Sequence, residues 1–116
     1  MFTHPMTLVG PQGEETVQAM VDSGATLSFA SADLLRRLGV QPNQRRRFQL
    51  ADGRAQEFEI GQVVTRVDDR EVVTLCVFGE STGPTLLGAY TLEGLFLGVD
   101  PYHQRLIPVD GYLLYL

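Results

Sequence analysis

The chain has 116 residues, of which 44% are hydrophobic and 20% are charged, and its formal net charge is −5. This size and composition are typical of one globular domain, which we expect to cover residues 1–116 and to bury a core of its own. The negative net charge argues against a nucleic-acid partner, because proteins that bind nucleic acids present clustered positive charge.

The sequence lacks the features that indicate a disulfide-bonded, metal-binding, membrane-spanning or secreted protein. Cys76 is the only cysteine, so no intrachain disulfide can form, and we expect it to pack as a small apolar residue. No histidines and cysteines show metal-ligand spacing, so we expect neither a metal nor another cofactor. No apolar run is long enough to span a membrane and no secretory signal opens the chain. Together these features favour a cytoplasmic protein without a membrane partner.

The first predicted elements are two strands, at residues 6–9 and 14–21, joined by a Gly-Pro-Gln-Gly turn. A polar loop follows the second strand, and an apolar stretch at residues 27–30 leaves it. The loop consists of Asp22, Ser23, Gly24, Ala25 and Thr26. Gly24 permits a sharp turn, and its amide can donate to the Asp22 carboxylate. On these residues alone, a surface turn and a site that presents a carboxylate are both open interpretations.

A short helix is predicted over residues 32–38. Ser31 suits its N-cap, and Gly39 suits the position after its last residue. Three leucines within the segment lie on one side of such a helix, namely Leu34, Leu35 and Leu38. The basic run at residues 45–47 is interpreted as a solvated loop before a strand, or alternatively as a contact with a substrate or partner.

A hairpin is predicted next, with strands at residues 47–51 and 55–67 on either side of Asp52-Gly53. Asp-Gly between two β-type segments favours a type I′ turn, since both residues tolerate positive φ. The remaining elements follow in chain order: a turn (67–70), a strand (71–78), a polar loop (79–84), a short helix (90–93) and two strands (96–99 and 105–109). Residues 25–40 and 84–99 also align without gaps at six identical positions, which predicts that both segments form a strand followed by a short helix.

Three motifs, in this order, resemble the aspartic proteases, and in particular the single-lobe retropepsin-like family of bacterial type. The loop that begins with Asp22-Ser23-Gly24 resembles the active-site loop of that family. The hairpin tip resembles the family's flap and consists of Ala51, Asp52, Gly53 and Arg54. The apolar-apolar-Gly element ahead of the family's second-half helix is matched by Leu86, Leu87 and Gly88. Residues 97–100 and 106–108 resemble the closing strands of bacterial members, so the similarity covers nearly the whole chain.

The resemblance implies an all-β fold, the single acid-protease lobe, which is a closed or orthogonal β-barrel with one or two short helices. It implies that Asp22 is catalytic, that residues 23–26 support the active-site loop, and that residues 51–54 form a flap over a peptide substrate. Leu86, Leu87 and Gly88 would be structural neighbours of the site. In the family, the hydroxyl at the position of Ser23 bonds across to the partner loop.

The chemistry that the resemblance implies needs two carboxylates that share a water and one proton. The sequence has one Asp-Ser-Gly motif, so we expect Asp22 from each of two chains to form the pair in a homodimer. The expected function is an aspartic endopeptidase. Two alternatives are a peptide-binding module with the same fold but little or no hydrolysis, and a dimerisation or processing domain of a larger polyprotein. The apolar segment at residues 112–116 is expected to pack in the core or at the dimer contact.

Overall fold

The computed structural model describes residues 2–113, and these form a predominantly β-sheet fold with two short helices. The strands are β1 (Thr3–Gly10), β2 (Gly13–Asp22), β3 (Ser28–Ser31), β4 (Pro42–Gln49), β5 (Ala55–Val67), β6 (Arg70–Gly79), β7 (Leu86–Gly88), β8 (Leu97–Asp100) and β9 (Arg105–Pro108). The helices are α1 (Ala32–Arg37) and α2 (Ala89–Leu95).

Six of the strands close into a barrel. They are hydrogen-bonded in the order β1-β2-β7-β3-β6-β5, and β5 returns to pair with β1, where Leu8 lies opposite Thr65. Closure of this kind removes the exposed strand edges of an open sheet. In the described part of the chain, strand β4 pairs with β5 alone and extends from the barrel as an edge strand, while β8 and β9 form a separate two-stranded sheet. The fold expected from the sequence is therefore confirmed.

The short strand β7 lies between β2 and β3, the two strands that flank the loop at residues 23–27. It runs parallel to β2 and antiparallel to β3. The backbone of β7 packs closely against the residues before β3 at Gly88, the last residue of β7. A Cβ added to Gly88 would lie 2.4 Å from the carbonyl oxygen of Leu27. A side chain larger than hydrogen cannot be accommodated there without movement of the backbone.

Helix α1 forms where the sequence predicts it. The hydroxyl of Ser31 accepts a hydrogen bond from the backbone N–H of Leu34 at 3.4 Å, and Gly39 has a φ of +83° after the helix end. This pair of signals, a hydroxyl cap before the helix and a left-handed glycine after it, sets the two ends of the helix. The three leucines of the segment are buried in the core, as expected.

The main core fills the barrel and is almost entirely aliphatic. Met6, Leu8, Leu35 and Leu87 are fully buried within it. Cys76 also lies in this cluster, and burial raises the pKa of its thiol to about 12. The expectation that Cys76 packs as a small apolar residue is confirmed.

Two local predictions in the first half of the chain are wrong. The basic run at residues 45–47 lies within β4, which begins at Pro42, and is not a loop. The turn of the β4–β5 hairpin is not of type I′, since Gly53 has a φ of +87° but Asp52 does not have positive φ. Instead Leu50 accepts a hydrogen bond from Gly53 N–H at 3.0 Å, which makes a three-residue loop with the glycine in the left-handed position.

The second half follows the predicted order. Helix α2 spans the predicted residues 90–93 and extends beyond them at both ends, and β7–α2 repeats the strand-and-helix arrangement of β3–α1. At the chain end, Tyr112 and Leu113 are 85% and 89% exposed, so the expectation of packing in the core is wrong for these two residues. The alternative expectation, a position at the dimer contact, stays a prediction, and residues 114–116 of the segment lie outside the described residues. Within residues 2–113, no helix is long and apolar enough to cross a membrane.

Candidate active site

Asp22 is the last residue of β2 and lies at the point where the chain leaves the barrel. Its side chain is partly buried, and its Oδ1 accepts a hydrogen bond from the backbone N–H of Gly24 at 2.9 Å. The carbonyl oxygen of Asp22 accepts a second bond from Ala25 N–H at 3.1 Å. The predicted Gly24 contact is therefore present, and these two bonds fix the turn that orients the carboxylate.

The far side of the loop is fixed to the start of helix α2. The backbone N–H of Ala89 donates to the carbonyl of Ala25 at 2.8 Å, and Tyr90 N–H donates to the carbonyl of Thr26 at 3.1 Å. These are amides of the first helical turn, which have no partner within the helix itself. Helix α2 therefore holds the second half of the Asp22 loop in place.

Beneath the loop, three buried hydroxyls form a chain that sequence reasoning missed. Ser28 Oγ lies 2.7 Å from Thr91 Oγ1, which lies 2.9 Å from Thr74 Oγ1. Ser28 Oγ also accepts a hydrogen bond from Gly88 N–H at 3.0 Å. Because β3, β6, β7 and α2 each contribute one member, this network ties together the elements that surround the site. Single serines and threonines far apart in sequence give no signal of such a cluster.

The apolar-apolar-Gly element forms β7 and pairs with the end of β2, next to the loop. Val21 is paired with Leu87 and Asp22 with Gly88 across the parallel β2–β7 ladder. Leu87 is fully buried, whereas the side chain of Leu86 reaches the surface next to the loop. The backbone of this element thus pairs with β2 at Asp22, and Leu86 contributes one apolar side chain to the surface beside the loop.

A groove of about 1120 Å³ lies between the Asp22 loop and the β4–β5 hairpin. All of the predicted loop residues line it except Ser23, which is exposed nearby. Of the four predicted flap residues, Ala51 and Arg54 line the groove, whereas Asp52 and Gly53 do not. The hairpin therefore borders the groove through two of its four tip residues.

The floor of the groove contains three phenylalanines that the sequence analysis did not single out. Phe29 from β3, Phe48 from β4 and Phe58 from β5 make three edge-to-face contacts with ring centroids 5.7 to 5.9 Å apart. Such contacts stabilise more than apolar burial alone. Residues 56, 58 and 60 of β5 all line the groove, because alternate residues of a strand share a face. This alternation, applied to the predicted strand, could have placed Phe58 on the same face as its neighbours at 56 and 60.

The tip of the hairpin is held by an ion pair between neighbours. Arg54 Nε lies 2.6 Å from Asp52 Oδ2, and Arg54 N–H donates to Asp52 Oδ1 at 3.0 Å. These bonds, first the backbone N–H of Arg54 and then its side chain, hold the pKa of Asp52 below its ordinary value. Both side chains are largely exposed, so the pair shapes the tip more than it stabilises the fold.

The acid groups of the groove are few. Among residues 2–113, Asp22 and Glu80 are the two carboxylate residues that line it, and Glu80 is exposed on the loop after β6. Over residues 2–113, no group of three or more His, Cys, Asp and Glu side chains is placed to hold a metal ion. What the groove offers chemically is one oriented carboxylate at the end of a strand, above an apolar floor.

A family model described as "gag-polyprotein putative aspartyl protease" matches residues 11–94. Among solved structures, the chain resembles the simian foamy virus (mac) protease, with 18% sequence identity and a TM-score of 0.57 over 78% of this chain and 91% of that one. It also resembles the retroviral protease-like domain of Ddi1 from Leishmania major, with 20% identity and a TM-score of 0.59 over 97% of this chain and 90% of that one. No curated protein matches the sequence significantly. At these identities, the two structures show a shared fold.

Proposed function

Because the chain belongs to the retropepsin-like family of gag-polyprotein aspartyl proteases, we propose that it is an aspartic endopeptidase whose active form is a homodimer. The observation that supports this most strongly is the position of Asp22. Its carboxylate is oriented by Gly24 at the end of β2 and opens into a groove that a hairpin overhangs.

The proposal requires a second carboxylate beside the first. Hydrolysis of this kind uses one carboxylate to accept a proton from water and another to protonate the carbonyl oxygen of the scissile bond. Two carboxylates in close contact cannot both ionise cheaply, so the pair holds one shared proton. A twofold axis beside the loop would bring Asp22 of one protomer next to Asp22 of the other. Specific activity should then fall on dilution below the dimer dissociation constant.

The neighbours of Asp22 have supporting roles in this proposal. The Gly24 amide orients the carboxylate, and the exposed hydroxyl of Ser23 is free to bond to the loop of the second protomer. Ala25 and Thr26 hold the loop against helix α2 through their carbonyls. The loop therefore needs little rearrangement when the two carboxylates meet, which lowers the cost of assembling the site.

The substrate in this proposal is a peptide in extended conformation. It would lie between the β4–β5 hairpin and the Asp22 loop and pair through its main chain, as peptides do when they add to a sheet edge. The floor formed by Phe29, Phe48 and Phe58 would receive apolar side chains of the peptide. The hairpin would then act as a flap that closes over the bound chain.

The test is cleavage of a peptide library by Asp22→Asn. Asn is nearly isosteric with Asp but cannot share the proton, so we expect cleavage to be abolished and the melting temperature to stay close to that of wild type. Asp69→Asn is the matched control, because Asp69 is exposed in the β5–β6 turn away from the groove. Unchanged cleavage by Asp22→Asn would contradict the proposal. If the single variant Glu80→Gln also loses activity, as the single variant Asp22→Asn does, the acid pair would instead lie within one chain.

A peptide-binding module without hydrolysis is the second candidate, and the apolar floor of the groove is the observation that favours it. Three aromatic side chains and Leu86 can hold a peptide without any contribution from Asp22. This function predicts that wild type and Asp22→Asn bind library peptides equally well and that neither cleaves them. Fluorescence anisotropy with labelled peptides measures that binding.

A further inference from the structure

Two arginines in the groove differ from most others in the chain. Six of the nine basic residues form ion pairs with carboxylates. Arg70 donates to the carbonyls at the end of helix α2. Arg46 and Arg47, which both line the groove, have no carboxylate partner within residues 2–113, although Arg46 Nη1 donates to the carbonyl oxygen of Arg45 at 2.7 Å. In a chain of net charge −5, two arginines without an ion pair among the described residues are thus placed in the groove, and Glu57, which lies opposite Arg47 in the β4–β5 register, is 3.8 Å from Arg45.

The strand register shows where this charge lies. Arg46 is paired with Phe58 across the β4–β5 ladder and is two residues from Phe48, so it shares a face with the aromatic floor. Arg47 points to the other face of β4, but β4 is an edge strand, so a long side chain there can still reach the groove. Along β4, both arginines therefore precede Phe48 and lie farther than it from the hairpin tip.

We infer that Arg46 and Arg47 are specificity-determining residues that select peptides with an Asp or Glu about four or five residues from the scissile bond. The inference rests on the proposed function. Arg46 precedes Ala51 at the tip by five positions, or about 17 Å at the rise of a β-strand. An extended peptide has the same rise, so an acidic side chain four or five residues from a bond beneath the tip comes within reach.

The chemistry of the guanidinium explains the choice of ligand. Its planar set of N–H donors binds a carboxylate through two parallel hydrogen bonds, and it is desolvated more easily than an ammonium group. The net negative charge of the chain would otherwise repel an acidic peptide, so recognition must be local to this part of the groove. Glu80 lines the same groove from the loop after β6, but within residues 2–113 it forms no ion pair with either arginine.

Twofold symmetry adds a second consequence. In the proposed homodimer each protomer contributes one copy of the pair, and the two copies lie at opposite ends of the combined groove. The preference for an acidic residue should therefore occur on both sides of the scissile bond. Peptides that carry one acidic residue on each side should be the best substrates.

The test compares peptides that are identical except for one Glu, Gln or Lys, moved stepwise along both sides of the cleaved bond. For wild type at low salt, we expect kcat/KM to favour Glu over Gln by about fivefold at the fourth or fifth position, the size expected for a partly exposed ion pair. Arg46→Gln/Arg47→Gln should remove the preference. Arg45→Gln is the matched control from the same run, because Arg45 does not line the groove and lies 3.8 Å from Glu57, so it should keep the preference.

The outcomes separate this inference from the proposed function. Cleavage at equal rates for Glu and Gln peptides, or a preference that survives in Arg46→Gln/Arg47→Gln, would overturn the inference and leave the endopeptidase intact. If no peptide is cleaved, the endopeptidase proposal fails, and anisotropy binding of the same peptides then decides the inference. Tighter binding of Glu peptides that is lost in the double variant would support it, and equal binding would overturn it.

Discussion

Asp22 and Gly88 are direct neighbours across the parallel β2–β7 ladder, so the carboxylate of the candidate site is aligned by a residue with no side chain. Gly88 cannot be larger, because the carbonyl oxygen of Leu27 and the amide nitrogen of Ser28 lie 2.4 and 2.9 Å from the position of its missing Cβ. The same close contact that brings β7 between β2 and β3 thus sets the position of Asp22.

Gly88→Ala should therefore destabilise the fold. The added methyl group meets backbone atoms that cannot move alone, and overpacking of this kind typically costs about 1–3 kcal/mol in the free energy of unfolding. Urea denaturation measures the change. Gly94→Ala is the control, since the nearest atoms there are side-chain methyls of Val72 at 3.1 Å, and Ala is favoured over Gly within helix α2. A Gly88→Ala variant as stable as wild type would contradict the described packing.

Thr91→Val should weaken the support of the loop. It removes the hydroxyl that joins Ser28 to Thr74 and leaves buried oxygen atoms without this partner, which costs about 1–3 kcal/mol. Thr16→Val is the matched control, because the Thr7–Thr16 hydroxyl pair of the β1–β2 hairpin has the same 2.7 Å distance but is exposed to water. Equal losses of stability in the two variants would show that the buried network has no special role.

Arg54→Ala tests whether the hairpin handles substrate. Its side chain is 72% exposed and, within the described part of the chain, forms an ion pair with Asp52 alone, so the melting temperature should stay close to that of wild type. We expect kcat/KM to change, and a tenfold loss would correspond to about 1.4 kcal/mol of transition-state stabilisation. Amides of residues 51–55 should also exchange fast in the free protein and slowly with a bound peptide inhibitor. Normal kinetics without such protection would make this hairpin an ordinary turn.

Cys76 gives a pH-dependent prediction for stability. Burial raises the pKa of its thiol from 9.0 to about 12, so the folded state keeps the proton that the unfolded state loses above pH 9. Its contribution to stability is therefore fully present below pH 9 and is lost as the pH rises from 9 toward 12. Urea unfolding between pH 8 and 10.5 should show a steeper loss for wild type than for Cys76→Ala. Identical slopes would mean that the thiol ionises equally well in the folded state.

Local signals predicted much of the fold correctly. The cap at Ser31, the left-handed Gly39 and the three leucines between them define α1 from adjacent residues alone. The repeat between residues 25–40 and 84–99 likewise predicted two strand-and-helix segments, which the structure contains as β3–α1 and β7–α2. Such features depend on contacts within a few residues, which is why the sequence expresses them directly.

The errors and omissions have a different physical cause. Strand β4 is an exposed edge strand with mostly polar residues on both faces, so it lacks the alternation that identifies a strand, and its first residue is a proline. The Phe29–Phe48–Phe58 cluster and the Ser28–Thr91–Thr74 network join residues that are distant in sequence, and only the closed barrel brings them together. The functional roles of Asp22 and of the hairpin stay predictions.

Activity in mixtures of wild-type and Asp22→Asn chains distinguishes an active site shared by two chains from one held by a single chain. If each active site needs Asp22 from two chains, a tenfold excess of Asp22→Asn above the dimer dissociation constant should leave about 9% of the original activity, since few wild-type chains then pair with each other. Asp69→Asn in the same excess should cause no such loss. Activity that is unchanged by excess Asp22→Asn, at concentrations where the chains exchange partners, would contradict the account, because it would mean that a single chain holds a complete active site.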